Sequence, residues 1–245
     1  MTSQKNDLRP NAREALQKFS AAAQEKLGSN LTAVVAYSGS LALSEAAAHD
    51  PAPVLVVLEE VHLQALDGLR QVLDPSAGVE IVPWVLTRRD LKRSTDSFPV
   101  KIRQICQSHH LLYGDDVLSG LEPDREHLRL RCEQEVRNLV FRLRGLYIGR
   151  AHRGELLENT LHQAAIQLSR SLGTLLFLRG VEAPQGRRAV LTTAAENLDL
   201  DATVLLTALD AGSGGKPVKD LKKLYGDFME AAEKVAVGVD RDDLQ

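Results

Sequence analysis

The chain has 245 residues, 44% hydrophobic and 26% charged, enough for one large domain or two modest ones, each burying its own core. A net charge of −3 excludes a general pull toward nucleic acid or an anionic membrane, so only local basic clusters could serve such partners. Two cysteines, Cys106 and Cys132, argue against a disulfide scaffold and for free buried thiols in a reducing compartment. The polar start Met1-Thr2-Ser3-Gln4-Lys5 has no apolar signal core behind it, and no uncharged run approaches the roughly 20 residues that span a bilayer. The expected location is therefore cytoplasmic, with no membrane partner.

From Pro10 to Leu27, apolar residues recur at helical spacing and Gly28 supplies a stop. Leu31 to Ser38 is a near-continuous apolar run with β-branched residues, the pattern of a strand covered on both faces. Gly39-Ser40 is a turn, and Leu41 to Ala48 predicts a short helix. The breaker cluster Asp50-Pro51-Ala52-Pro53 leads into a second strand, Val54 to Leu58. A helix over Glu60–Leu73 follows. Val79 to Leu86 is a third strand, where Pro83 requires an edge or a bulge. Thr87 then caps a short helix, with Asp90 in capping-box position. A further helix runs from Pro99 to about Ser108, and Leu111 to Gly114 is a short extended stretch. Alternation of strands and helices over about 120 residues predicts an α/β layer structure.

Beyond Pro123 no β-like run recurs. Two long amphipathic helices carry stripes from Leu128 to Tyr147 and from Leu157 to Leu176. Shorter ones follow over Arg187–Asn197 and over Asp201–Ala211, where Asp201 is an N-cap. After the glycine loop Gly212-Ser213-Gly214-Gly215, a last helix presents Leu224, Tyr225, Phe228, Ala232 and Val235 on one side. These helices predict a bundle. The expected division is 1–122 for the α/β part and 123–245 for the bundle.

Strand, Gly-Ser turn, helix and strand over Ala33–Leu58 resemble the catalytic hairpin of the DNA polymerase β-type nucleotidyltransferase superfamily. The stretches Leu86-Thr87-Arg88-Arg89-Asp90-Leu91, Phe98-Pro99, His109-His110-Leu111-Leu112-Tyr113-Gly114-Asp115-Asp116 and Asp124 to Leu130 extend the likeness to a group of bacterial nucleotidyltransferase-domain proteins with a helical C-terminal half. The resemblance implies an α/β (α+β) nucleotidyltransferase-like domain with a small mixed sheet, followed by an all-α bundle. It also implies that Gly39 and Ser40 back the phosphates of a nucleotide, where a residue without a side chain lets backbone N–H groups reach an anion. In that family the second strand opens with Asp-x-Asp, whose carboxylates hold the divalent metals. Here Pro51 and Pro53 stand at those positions, and the residues Leu43 and Ser44 replace an arginine and a glycine beside the phosphates.

Two-metal phosphoryl chemistry needs hard oxygen donors at i and i+2 of one strand, and neither proline has one. The expectation is a degenerate protein with no catalytic residue, no metal ligand and no cofactor, acting as a nucleotide- or protein-binding module. The alternative is an active, divergent enzyme in which Asp50, brought inward by a register shift, and Glu80 hold magnesium with a nucleotide triphosphate.

The remaining features read more plainly. His109-His110 lacks a third ligand at metal spacing. Arg88, Arg89, Lys92, Arg93, Lys101 and Arg103 form one basic stretch, and Arg125, Arg129, Arg131, Arg137, Arg142 and Arg144 another. Few aromatics accompany them and glutamates interleave the second, which argues against nucleic acid. The terminal-helix stripe is core or, alternatively, a homodimer face.

Overall fold

The computed structural model describes residues 4–5, 7–41, 51–182, 184–212 and 218–241. All of the predicted helix over Leu41–Ala48 except Leu41, and most of the glycine loop, lie outside the described residues. The chain forms two compact units, Met1–Asp124 and Arg125–Gln245.

The first unit is a five-stranded mixed sheet between helices. The strands are β1 (Gln4–Lys5), β2 (Leu31–Tyr37), β3 (Ala52–Leu58), β4 (Ile81–Thr87) and β5 (Ser108–Gly114), in the order β1-β5-β2-β3-β4. β2 runs antiparallel to β3 and β5, while β3–β4 and β1–β5 are parallel. Side chains alternate between two apolar layers, as a pleat requires. Val34, Ala36, Ala52, Val54, Val56 and Leu58 pack toward helices α1 (Pro10–Leu27) and α2 (Leu63–Val72), meeting Leu16, Phe19 and Leu69. Ala33, Val35, Tyr37, Leu55 and Val57 face the other way, onto Leu91 of α3 (Arg88–Ser97) and Ile102 and Ile105 of α4 (Pro99–Gln107). This double burial explains why β2 and β3 read as unbroken apolar runs.

Local chemistry sets the element ends. Proline at the first turn of α1 fixes φ where the missing N–H costs nothing. The capping box at Thr87 and Asp90 is present in both directions. β4 is the outer strand of the sheet, where Pro83 is tolerated. Two features depart from the sequence reading. β5 starts at Ser108, three residues earlier than expected, and it is an inner strand between β1 and β2. β1 consists of two polar residues held by main-chain pairing to Ser108 and His109, which leaves no apolar signature.

The second unit contains α5 (Arg125–Arg150), α6 (Gly154–Leu178), α7 (Arg187–Leu198), α8 (Ala202–Asp210) and α9 (Leu221–Arg241) around one core. Asp201 caps α8 by accepting from Thr203 N and Val204 N. Tyr225 and Phe228 of α9 are among the largest fully buried side chains. The Tyr225 hydroxyl donates to Leu143 O at 2.8 Å, so its polar tip is satisfied where it is buried. The α9 stripe thus packs into the unit's own core. No helix among the described residues is long and apolar enough to cross a membrane.

Gly114, at the end of β5, has φ +82°, and a Cβ there would lie 2.0 Å from Thr32 O. Both the backbone angle and the neighbouring main chain demand glycine. Gly114→Ala is expected to destabilise the first unit by about 2–3 kcal/mol. Urea unfolding followed by fluorescence of Trp84, the single tryptophan, measures it.

Candidate functional site

At the end of β2 the chain turns through Ser38–Ser40, closed by Leu41 N donating to Ser38 O at 3.0 Å. Ser38 has φ +50°, one of two non-glycine residues with positive φ among the described residues. Such a conformation persists only where surroundings over-determine it. Ser40 supplies much of that constraint. Its side chain is fully buried and its Oγ donates to Pro53 O at 2.6 Å, while its carbonyl accepts from Arg9 N at 2.9 Å. Leu8 and Leu41 form an adjoining antiparallel bridge. The turn is therefore tied to the start of β3 and to the entry of α1.

Register decides what stands opposite. Ala52 pairs with Ile81 and Pro53 with Val82, and Ala52 N donates to Glu80 O at 2.7 Å. Pro53 shares a face with Leu55 and Val57, and Val82 shares it with Trp84. By the same alternation Pro51 and Glu80 stand beside each other on that face, one residue before the paired segment. The row is thus Pro51, Pro53, Glu80 and Val82. From Ala52 onward the ladder buries Ala52 with Val54 and Val56 on the opposite face. Asp50 itself lies outside the described residues. Glu80 is the one carboxylate in this row, and among the described residues no group of three His, Cys, Asp or Glu could hold a metal ion. Among the described residues this row offers one carboxylate to a hard divalent cation.

Other candidates separate cleanly. His109 and His110 are successive strand residues pointing to opposite faces, so they cannot share an ion. His109 is buried, its Nδ1 3.0 Å from Ile105 O. Burial pushes the Cys132 thiol up to about 12 and the Cys106 thiol up to about 11, with neighbouring carboxylates adding to it. Cys132 is buried as expected, but Cys106 is only half-buried because it sits at the margin of the layer under α4. Neither is an activated nucleophile.

The first basic stretch is not a continuous patch. Arg88 pairs with Asp115 and Glu59, Arg103 is buried, and Lys101 Nζ lies 3.6 Å above the Trp84 ring. Burial lowers the Arg103 pKa to about 10 and also pulls Lys101 down. Phe98 meets Trp84 edge-on at 6.1 Å and is 47% exposed. Sequence reasoning missed this Trp84–Phe98–Lys101 group. A lone tryptophan on an edge strand, two residues beyond Val82, was the available signal.

No family model matches the chain, and no curated protein matches it. Among solved structures the chain is similar to the spectinomycin adenyltransferase AAD(9) from Enterococcus faecialis, determined with ATP and spectinomycin. The TM-score is 0.59 with 14% identity, over 91% of this chain and 98% of that one. At that identity the likeness establishes the fold, a nucleotidyltransferase-like α/β domain followed by a helical region.

Two outcomes follow from this geometry. Ser40→Ala leaves the buried Pro53 carbonyl without its donor and should cost the first unit about 1–3 kcal/mol, read by Trp84 fluorescence in urea. The Cys106 thiol, ordinarily titrating near 9, keeps its proton to about 11 when folded. Its contribution to stability is full below pH 9 and is lost as pH rises from 9 toward 11. Urea midpoints should therefore fall across that window, and a disulfide-exchange reagent at pH 8 should react with native protein much more slowly than with unfolded protein.

Proposed function

We propose that this protein is a nucleotidyltransferase-fold binding module that holds a nucleotide at the Ser38–Ser40 turn without transferring it. The observation that carries this reading is a proline at 53, on the face of β3 shared with Leu55 and Val57, and another at 51, just before the strand. A prolyl ring offers a metal only hydrocarbon, and loss of the ions removes both the triphosphate clamp and the polarised attacking oxygen. Glu80 alone cannot position two ions. The tied turn, with its positive φ at Ser38 and glycine at 39, supports retention of an anion-binding backbone after the chemistry has gone. ATP in the similar adenyltransferase structure is consistent with a nucleotide ligand. A protein partner is the reading that remains if nucleotides do not bind. Two cysteines outside any disulfide suit a reducing, cytoplasmic setting.

One feature favours a second reading, an active enzyme of divergent design: continuing the β3–β4 register one residue before Ala52 and Ile81 sets Glu80 opposite Pro51. With a further acid such as Asp50, it could hold magnesium with a triphosphate.

Calorimetry with ATP and the other triphosphates, with and without magnesium, separates the two. The binding module should bind equally well without magnesium, and Gly39→Val should weaken binding at least tenfold. Pro51→Asp/Pro53→Asp should make binding magnesium-dependent. Wild-type binding that requires magnesium and is lost in Glu80→Ala or Asp50→Ala would establish the enzyme instead. Absence of any nucleotide binding would leave the protein-interaction reading.

A further inference from the structure

The arginines of α5 fall into two sets. Arg129 pairs with Glu126 and Glu133, Arg137 with Glu133, Arg131 with Glu135, and Arg144 with Glu233 of α9. Arg125, which donates to Leu178 O, and Arg142 and Arg150 have neutral partners instead. Arg142 donates to Gln167 Oε1 and Arg150 to Thr160 Oγ1, the latter at 2.9 Å. Both line a groove of about 320 Å³ between α5 and α6, together with Gln163 and Arg170 of α6. No carboxylate is among the described residues that line it. Arg170 is exposed as a residue, yet partial desolvation and then the charge of Arg187 hold its pKa below the ordinary arginine value. Glu135 pulls the other way, but its carboxylate is already engaged by Arg131.

Three arginines therefore line one groove whose described lining residues include no carboxylate, two of them answered by an amide and a hydroxyl. Arg142 and Arg150 are eight residues apart on one helix, about 12 Å along its axis. Gln167, the partner of Arg142, stands three residues from Arg170 on α6, which extends the row in the same direction. We infer that this groove of the helical unit binds a small ligand carrying a chain of phosphates. Guanidinium forks match phosphate oxygens in pairs, and amide side chains can accept or donate to the remaining atoms. A single orthophosphate cannot reach along such a row, whereas an oligophosphate can engage two arginines at once. The site lies wholly in the second unit, and the inference does not depend on the reading of the cleft.

The test uses the full chain and inorganic tripolyphosphate, titrated calorimetrically at low salt, with orthophosphate and a 12-nucleotide single-stranded RNA as parallel probes. Tripolyphosphate should bind at least tenfold more tightly than orthophosphate. Arg142→Gln and Arg150→Gln should each weaken it at least tenfold, and Arg142→Lys several-fold, because the charge survives without the fork. Arg144→Gln, which removes an equal charge from an ion-paired position, should leave affinity within twofold, as should Gly39→Val. Thermal melting of each variant accompanies the titrations, and a variant that melts early is replaced by its lysine counterpart. The inference is overturned if wild-type protein ignores tripolyphosphate, if Arg142→Gln and Arg150→Gln bind it normally, or if Arg144→Gln loses as much as they do. Binding of RNA without tripolyphosphate would also overturn it.

Discussion

Strand β3 is paired on both edges, antiparallel to β2 and parallel to β4, and that double ladder decides what the cleft can present. Because side chains alternate, one residue of slip would exchange the faces of the whole strand. Ala52, Val54, Val56 and Leu58 are fully buried against α1 and α2, so a slip would drive Pro53, Leu55 and Val57 into that layer and turn the others out. The register is therefore held by the packing of an entire strand. It leaves the face that meets the Ser38–Ser40 turn with two imino rings, one glutamate and one valine. Ser40 then joins the two halves, since its hydroxyl reaches the carbonyl of one of those prolines. The same contact that shapes the turn is thus built on the residue that withholds a metal ligand.

Most of the frame was legible because burial and local chemistry agreed. The apolar runs of β2 and β3, the capping box at Thr87 and Asp90, the cap at Asp201 and the stripes of α5, α6 and α9 each carry their cause in side chains nearby in sequence. What was not legible depends on partners far along the chain. β5 begins at Ser108 and His109 because His109 pairs with Tyr37 of β2 and its ring reaches Ile105 O, which no propensity encodes. β1 is two polar residues paired through the main chain to Ser108 and His109. At the cleft, Pro51, Pro53 and Glu80 could be singled out by resemblance, but their common face required the β3–β4 register. The tie from Ser40 to Pro53 and the stacking of Lys101 on Trp84 were invisible, being contacts between segments separated by loops.

Charge shows the same limit. The sequence shows glutamates interleaved with the arginines of residues 125–144 but not which are paired; the fold pairs four of them with glutamates and leaves Arg142 against an amide. Exposed pairs of this kind contribute only some tenths of a kcal/mol each to stability. Their consequence is the removal of competing charge, so that the electrostatic character of the α5–α6 groove is set by residues with neutral partners.

A crystal soaked with manganese and a non-hydrolysable triphosphate analogue, with anomalous scattering recorded at the manganese edge, tests the central claim most directly. The account predicts triphosphate density against the backbone of the Ser38–Ser40 turn and no anomalous peak coordinated by protein side chains near positions 51, 53 and 80. Two well-occupied manganese ions held there by Glu80 and a second carboxylate would contradict it.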